Sequence, residues 1–237
     1  MAVLFWQNAT TWIHDTDFTG QLKKVSLNVK ADELDATTFG STYESRIGGL
    51  KDVTVGTEGF WESTQDLSGF SGLAQADRVV TICPQGAETN VAYLLQAGDF
   101  NYETFGTIGE TVPFMLGLSG TNNVGAVRGQ MAKAKGNVSA TGQLGSILNL
   151  GAPTATQFVY ASVHIFTAGT TITIQLQSDD NAPFASATTR ATIGPLTTTG
   201  GTWMTRLAGP FAGETFWRLN VSAITGTFSI AAAVGIQ

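Results

Sequence analysis

The carboxylates at positions 32–35 are the first side chains along the chain that could do chemistry. Asp32, Glu33 and Asp35 follow a strand-like segment, and two converging carboxylates could act as general acid and general base. Partner residues for such a pair are sparse, because the chain contains two histidines and one cysteine. The sequence therefore favours a solvated, negatively charged loop over an acid–base pair.

Three further places carry residue types that occur in binding or catalytic sites. Residues 178–181 (Ser-Asp-Asp-Asn) follow a strand and could bind a cation through their oxygens, but a polar turn capped by its own Asx side chains is favoured. His164 alternates within an apolar strand, which indicates a packing histidine rather than a catalytic base. Cys83 has an apolar neighbour on one side and a proline on the other, and we expect a small core residue there.

Aromatic residues in the second half of the chain could form a platform for stacking on sugars. They are Trp203, Phe216, Trp217 and Phe228. Their alternation favours core packing for most of them.

The sequence has no glycine-rich phosphate loop, no His-Glu-x-x-His and no Gly-x-Ser-x-Gly. We therefore expect no enzymatic activity, no cofactor and no metal.

Composition and charge narrow the function classes further. The 237 residues are 43% hydrophobic and only 13% charged, which is typical of a folded chain and suggests that copies of the protein cover much of its surface. The net charge of −6 argues against clamping DNA or binding a membrane through basic residues. A single cysteine excludes a disulfide framework. No apolar run has membrane-spanning length, and no secretory signal is recognised, so we expect the product in the cytosol where it is made.

Short strands dominate the elements that must position these residues. Alternation or apolar runs predict strands near residues 22–30, 52–60, 79–83, 89–96, 112–120, 157–165, 170–177, 188–193, 202–207, 214–222 and 227–236. The strands at 157–165 and 170–177 are predicted to form a hairpin across Ala168-Gly169. One helix is predicted over 66–77 from the spacing of Leu67, Phe70 and Leu73.

The chain is predicted to be mainly β with two domains. Residues 1–132 carry 15 acids and 7 bases, whereas residues 133–237 carry 3 acids and 5 bases. The small, polar stretch 133–142 reads as a linker between a first domain, 1–132, and a C-terminal β-sandwich of jelly-roll type, 143–237. Parallel βαβ architecture is disfavoured because no amphipathic helices separate the strands.

Two segments resemble a known family. Residues 26–61 run Ser-Leu-Asn-Val-Lys-Ala-Asp-Glu-Leu-Asp-Ala-Thr-Thr-Phe-Gly, then, after Ser41-Thr42, Tyr-Glu-Ser-Arg-Ile-Gly-Gly-Leu-Lys-Asp, then Val-Thr-Val-Gly-Thr-Glu-Gly-Phe-Trp. This segment resembles the tail tube (major tail) proteins of long-tailed bacteriophages, in which a strand leads into an Asp-x-Thr-x-Phe-Gly-like loop, a Gly-Leu-Lys-Asp stretch and a second long strand. The resemblance covers about the first 130 residues. The second half is similar to a C-terminal domain carried by many tail proteins of this type, through Ser162-Val-His-Ile165, residues 177–184, Phe216-Trp-Arg-Leu219 and Ala233-Val-Gly-Ile236.

The resemblance implies a fold and an assembly. Tail tube subunits place a β-sandwich or barrel with one flanking helix into stacked hexameric rings, whose inner strands close into a barrel around the lumen. A long loop reaches a neighbouring subunit or ring, and here it would be Leu34–Lys51. The interface residues implied in that loop are Asp35, Thr37, Thr38, Phe39, Gly40, Tyr43, Arg46, Gly49 and Lys51. Carboxylates that face the lumen or the ring interfaces would repel phosphates, and the candidates are Asp32, Glu33, Asp52, Glu58 and Glu62.

The expected partners follow from the same resemblance. They are further copies of the chain in stacked rings and other tail proteins (tape measure, tail terminator and distal tail), with viral DNA passing through the lumen without specific binding and no membrane. The protein would belong to the virion tail. Two alternatives stay open: a glycan- or host-surface-binding decoration protein that acts through the C-terminal domain, and a capsid decoration or tail-tip adaptor of the same fold.

Overall fold

A computed structural model describes residues 9–39 and 42–237 and is mainly β, as predicted. Its strands are β1 (Thr10–Ile13), β2 (Thr16–Asp17), β3 (Leu22–Asp35), β4 (Arg46–Phe60), β5 (Arg78–Cys83), β6 (Val91–Thr104), β7 (Pro113–Gly120), β8 (Val127–Val138), β9 (Gly142–Asn149), β10 (Phe158–Thr167), β11 (Thr171–Asp179), β12 (Thr188–Leu196), β13 (Gly200–Trp203), β14 (Leu207–Ala208), β15 (Phe216–Thr225) and β16 (Phe228–Ile236). The helix α1 covers Ser63–Gly72. In the described part of the chain, no helix has the length and hydropathy needed to cross a membrane.

The chain forms two compact units whose boundaries differ from the predicted domains. The sandwich unit comprises the chain up to Gly20, Arg78–Leu95 and Val127–Gln237, and the arm unit comprises Gln21–Asp77 and Gln96–Ala126. Each unit is therefore discontinuous in sequence, whereas a division at residue 132 assumes that neighbours along the chain share a domain.

The predicted linker, 133–142, is mostly strand. Residues 133–138 lie in β8 and residue 142 begins β9, and β8 pairs with β16 from Gly129 to Val138. Lys133 and Lys135 alternate outward, where they bond Glu88 at 3.3 Å and Asp17 at 2.9 Å. Small residues between the lysines hide this alternation in the sequence.

The sandwich unit packs two antiparallel sheets around one core. One sheet has the order β13–β10–β16–β8–β6–β5–β1–β2, and the other has the order β12–β11–β15–β9. The core between them includes Leu144, Val159, Ile174, Trp217 and Ile230. This arrangement confirms the predicted β-sandwich.

The predicted hairpin of β10 and β11 is wrong, because the two strands lie in opposite sheets. β10 pairs with β16, whereas β11 pairs with β12 and β15. Between β10 and β11, the Thr170 N–H donates to the Thr225 carbonyl at 2.9 Å. This bond places the start of β11 beside β15 in the other sheet. A turn signal between two strands thus marks a change of sheet here, not a hairpin.

The arm unit contains the sheet β3–β4–β7–β6, to which β6 contributes residues 96–104, with α1 across one face. The apolar positions of β4 and β7, among them Val55 and Leu118, are buried on that face. The helix ends earlier than predicted, at Gly72, because the Ala74 N–H donates to the Asp99 carbonyl of β6 at 2.9 Å. One face of this sheet is therefore covered, and the other is open.

Candidate functional site

A two-stranded ribbon extends beyond the sheet of the arm unit. β4 pairs with β7 only over Thr54–Phe60, whereas β3 and β4 pair with each other from Leu22 and Gly59 to Asp35 and Arg46. We call residues 30–52 the arm. The predicted loop, Leu34–Lys51, is therefore too long: Arg46–Lys51 continue β4 opposite β3, and only residues 36–45 connect the strands. Glycines at 48 and 49 made this stretch look irregular in the sequence.

The arm has no core of its own. All its described residues are exposed except Gly49, which is half-buried. Its large apolar side chains and their exposed fractions are Leu34 (50%), Phe39 (110%), Tyr43 (86%), Ile47 (56%) and Leu50 (82%). A two-stranded ribbon is marginally stable in water, and apolar side chains of this number and exposure are typical of an interaction surface.

Hydrogen bonds give the end of the arm a defined shape. The Thr37 N–H donates to Asp35 Oδ1 at 2.9 Å, the Ser45 N–H donates to Thr37 Oγ1 at 2.9 Å, and the Ala36 N–H donates to the Ser45 carbonyl at 2.8 Å. The bonds from Thr37 hold the pKa of Asp35 below its usual value. Thr37 and Asp35 thus organise the turn, while Thr38 is exposed beside it and Gly40 lies outside the described residues.

The charges of the arm are partly satisfied within it. Arg46 forms ion pairs with Glu33 at 2.6 Å and with Glu44 at 2.5 Å, and these bonds raise the pKa of its guanidinium. At Gly49, an added Cβ would lie 3.0 Å from Asp32 Cβ, where the register between the strands shifts. Arg46 and Gly49, for which the resemblance implied only an interface role, therefore also have contacts within the arm.

The open face of the arm-unit sheet collects polar side chains in cross-strand rows. One row contains Lys24, Glu58, Met115 and Glu103. Lys24 Nζ lies 2.6 Å from Glu58 Oε1, and this bond lowers the pKa of Glu58. Lys30 stands directly opposite Asp52. Lys24 and Lys30 therefore each have a carboxylate on the neighbouring strand.

The five predicted acids do not form one group. Asp52 and Glu58 share the open face, because they are six residues apart in β4. Glu33 is bound by Arg46, and Glu62 precedes α1 instead of lying in the sheet. Glu103 belongs to the open face and was missed, since the bulge in β6 between Asp99 and Asn101 obscures its alternation.

The helix α1 is reversed relative to the usual amphipathic pattern. Its buried residues are Gln65, Gly69 and Gly72, whereas Leu67 is 67% exposed and Phe70 is 65% exposed. An added Cβ at Gly69 would lie 3.0 Å from the Tyr102 ring, so glycine allows the helix to approach β6 closely. The spacing of apolar residues that predicted this helix marks its exposed side. Its packed side is marked instead by Gln65, Gly69 and Gly72, which are spaced at i, i+4 and i+7.

The other candidate residues belong to the packing of the sandwich unit. Residue 164 is fully buried, and its histidine bonds Thr81 Oγ1 through Nε2 at 2.8 Å and donates from Nδ1 to the His14 carbonyl at 2.8 Å. Cys83 is buried, and desolvation raises its pKa to about 12. Asp179 accepts backbone N–H bonds from Asn181 and Ser186, as in a capped turn. No three metal-ligating side chains converge within the described ranges.

The aromatic residues of the second half do not form an exposed platform. Trp217 and Phe228 are fully buried, Trp203 is half-buried, and Phe216 is half-buried. Tyr160, which is buried, packs its ring 5.8 Å from that of Trp203. This distribution is that of a packed sandwich, not of a sugar-stacking surface.

Comparisons with known proteins give likeness of fold only. No family model and no curated protein matches the sequence. A chain of the "virion of native gene transfer agent (GTA) particle" is 11% identical, with a TM-score of 0.41 over 51% of this chain and 95% of that one. A chain of the tail of an empty GTA particle with C6 symmetry is 12% identical, with a TM-score of 0.37 over 46% and 90%. The SPP1 Dit (gp 19.1) protein is 10% identical, with a TM-score of 0.36 over 98% and 100%. With TM-scores below 0.5, these likenesses carry no argument about function.

Proposed function

We propose that this chain is a structural subunit of a phage tail tube, in which copies assemble into stacked, hexameric rings of the virion tail. The observation that carries the proposal is the arm, a ribbon with exposed apolar side chains and no core of its own. The resemblance of residues 26–61 to tail tube proteins covers the same segment. A ribbon of this kind becomes stable when a neighbouring copy covers it.

The edge of the arm-unit sheet supports ring formation. β3 is 14 residues long, and no strand in the described part of the chain pairs with its outer edge. A long unpaired edge readily accepts another strand, and closing a ring of subunits is one way to protect it. In this proposal, sheets of adjacent copies join around a lumen, with the open polar face turned inward.

The open face also suits the passage of DNA. Binding of DNA requires lysines or arginines that are free to neutralise phosphates. Lys24 is bound by Glu58, Lys30 faces Asp52, and Glu103 adds a further negative charge. A lumen lined by this face would let DNA slide without specific binding.

We assign the sandwich unit to decoration of the outer surface, without catalytic activity. The alternative of a glycan-binding protein requires exposed aromatic side chains in the second half, and every large apolar side chain in the described part of that half is buried or half-buried. The tape measure, tail terminator and distal tail proteins are the further partners that this role implies.

The proposal is tested by shortening the arm. Replacing residues 32–50 with Asn-Gly joins Ala31 to Lys51, which are already paired, through a two-residue turn. The parent protein should form hollow, striated tubes at high concentration in negative-stain micrographs, and the shortened protein should stay dispersed while its circular dichroism and melting curve are retained.

A matched control distinguishes loss of the arm from general damage. Thr198→Glu changes an exposed residue of the sandwich unit and should leave tube formation intact. Tubes formed by the shortened protein would refute the assignment of the arm to the interface. Failure of the parent protein to form tubes, even when phage tail-tip complexes are added as initiators, would refute the proposed function.

A further inference from the structure

A groove opens along one side of the sandwich unit, between edge strands of its two sheets. β12 is an edge strand of one sheet, and β13 and β14 pair with β10 at the edge of the other. The groove has a volume of about 400 Å³ and is lined by residues 190–194 of β12 together with residues 202–205 and 207. This volume lies within the range of protein sites that bind small molecules.

The deepest part of the groove is apolar, and one of its walls is aromatic. Ile193 and Met204 are each 4% exposed, and both belong to the core between the sheets. Trp203 is half-buried, and the buried Tyr160 packs against its ring with the centroids 5.8 Å apart. The indole is therefore held by a neighbour while it lines the groove, and it offers a rigid apolar surface to a ligand.

Three threonines bring hydroxyl groups to the same groove. Thr192 and Thr205 are exposed, and Thr202 is half-buried. Each hydroxyl can donate one hydrogen bond and accept others. A sugar ring presents C–H groups beside hydroxyls, so an indole together with several hydroxyls matches both parts of its surface.

The one charged side chain among the described residues that line the groove is already paired. Arg190 donates from Nε to Ser178 Oγ at 2.8 Å and to Glu214 Oε2 at 3.1 Å, and it forms an ion pair with the same glutamate. Arg206 lies between two lining residues in the sequence, but its guanidinium stacks over the Phe158 ring, 4.5 Å from the centroid. This distribution of charge favours a neutral ligand over an anion.

We propose that this groove binds a neutral sugar, as a single pyranose residue of a glycan. Trp203 would contact the C–H groups of the ring, and the threonines would bond its hydroxyls. A recessed site of this kind uses one aromatic ring for one sugar residue and differs from an exposed stacking platform. The inference goes beyond the proposed function, because it assigns a ligand to the sandwich unit. One such site binds weakly, but many copies on one particle would bind a glycan-rich surface with avidity.

Nuclear magnetic resonance of the methionine methyl groups tests the site. Met204 lines the groove, Met131 is fully buried and does not line it, and Met115 belongs to the arm unit. The full chain, labelled with ¹³C at these methyl groups and kept dispersed, is titrated with neutral pentoses, hexoses, deoxyhexoses and N-acetylhexosamines. We expect at least one sugar to shift the Met204 signal saturably with a Kd of about 1–10 mM, while Met115 and Met131 stay unchanged.

Paired variants test the role of the hydroxyl groups. T192V/T205V removes two hydroxyls from the groove with little change in side-chain shape and should weaken sugar binding at least tenfold. The control, T188V/T198V, makes the same change at exposed threonines that do not line the groove and should leave the Kd unchanged.

Several outcomes would overturn the proposal. They are the absence of a saturable Met204 shift with every sugar up to about 50 mM, several times the expected Kd, and equal weakening by the two double variants. Saturation by cyclohexanol without saturation by any sugar would show a merely apolar pocket, and tighter binding of glucuronate than of every neutral sugar would show an anion site. Because the titration uses dispersed protein, its result does not depend on whether tubes form.

Discussion

At the scale of single residues, the best-defined polar group is the buried network around His164. Its imidazole donates to the His14 carbonyl and accepts from Thr81, whose hydroxyl also bonds Ser162 at 2.9 Å. Trp12 packs against the ring, with centroids 5.8 Å apart. Every ring nitrogen is thus satisfied in the neutral state, and the network ties β1, β5 and β10 together inside the sandwich unit.

This network predicts a pH dependence of stability. Burial lowers the pKa of His164 from 6.5 to about 4, and burial also lowers the pKa of His14. Between pH 6.5 and pH 4, the His164 imidazole binds a proton in the unfolded state but not in the folded state. The free energy of unfolding should therefore fall by about 3 kcal/mol over this range. Above about pH 7.5 the imidazole is neutral in both the folded and the unfolded state, so the free energy of unfolding no longer changes with pH through this group.

Chemical denaturation at several pH values measures the effect. The carboxylates are mostly ionised above pH 5, so the range from pH 6.5 to pH 5 isolates the histidines. His164→Asn should be less stable at pH 7 and should show a much shallower slope in that range, with the remainder due to His14. An equal slope in the variant and the parent would contradict the assignment to His164.

At the scale of elements, the arm and the helix share one property: their apolar side chains point away from the unit that carries them. In β3, Val25 and Leu27 are half-buried at the base, whereas Leu34 lies on the other face, since an odd number of residues separates it from both. In α1, glycines occupy the packed side. Both elements therefore combine ordinary backbone geometry with a surface that only another molecule can cover.

The reversed helix makes a testable prediction about stability. Gly69→Leu places a large side chain where even a Cβ would be 3.0 Å from the Tyr102 ring, and we expect it to lower the free energy of unfolding by about 1–3 kcal/mol. Leu67→Ser, on the outer side of the same helix, should change it by no more than about 0.5 kcal/mol in the dispersed protein.

Urea denaturation of both variants decides between the two orientations of the helix. If the apolar side of α1 were the packed one, Leu67→Ser would be the more damaging change. That order of effects would contradict the packing described above.

At the scale of the whole molecule, charge is divided unevenly between the two units. The arm unit has twelve acids and five bases, a balance of −7, and the sandwich unit has six acids and seven bases, a balance of +1. The sequence alone placed most acids before residue 132. The structural units reduce the contrast from −8 against +2 to −7 against +1, because Asp15, Asp17 and Glu88, together with Arg78 and Arg128, belong to the sandwich unit.

The pairing of lysines with carboxylates predicts how DNA responds to mutation. Asp52→Asn/Glu58→Gln leaves Lys30 and Lys24 without their carboxylates. Assembled protein of this variant should bind short duplex DNA with a Kd of about 1–100 μM at physiological salt, weakening as salt is raised, whereas the parent should not bind detectably.

Fluorescence anisotropy with labelled DNA measures this binding. The control, Glu110→Gln/Asp180→Asn, makes the same change in net charge at exposed residues outside the open face. Equal DNA binding by both variants would show that net charge alone controls the interaction and that the open face has no special role.

The sequence by itself determined the class of fold and the position of most strands. Alternation along a strand has a period of two and depends on neighbours in the chain, so residues 22–30 and 52–60 were recognisable without any tertiary information. The resemblance of residues 26–61 also identified the segment that contains the arm.

Only the tertiary structure decided which strands share a sheet, where the units divide, and which side of α1 is packed. Each of these depends on contacts between residues far apart in the chain: β11 joins β15 rather than β10, and β8 joins β16 instead of serving as a linker. The helix orientation depends on the close approach of Gly69 to Tyr102, and glycine carries no hydropathy signal that would reveal such a contact. Local pattern thus determined the elements, and long-range packing determined which of their surfaces remain open to a partner.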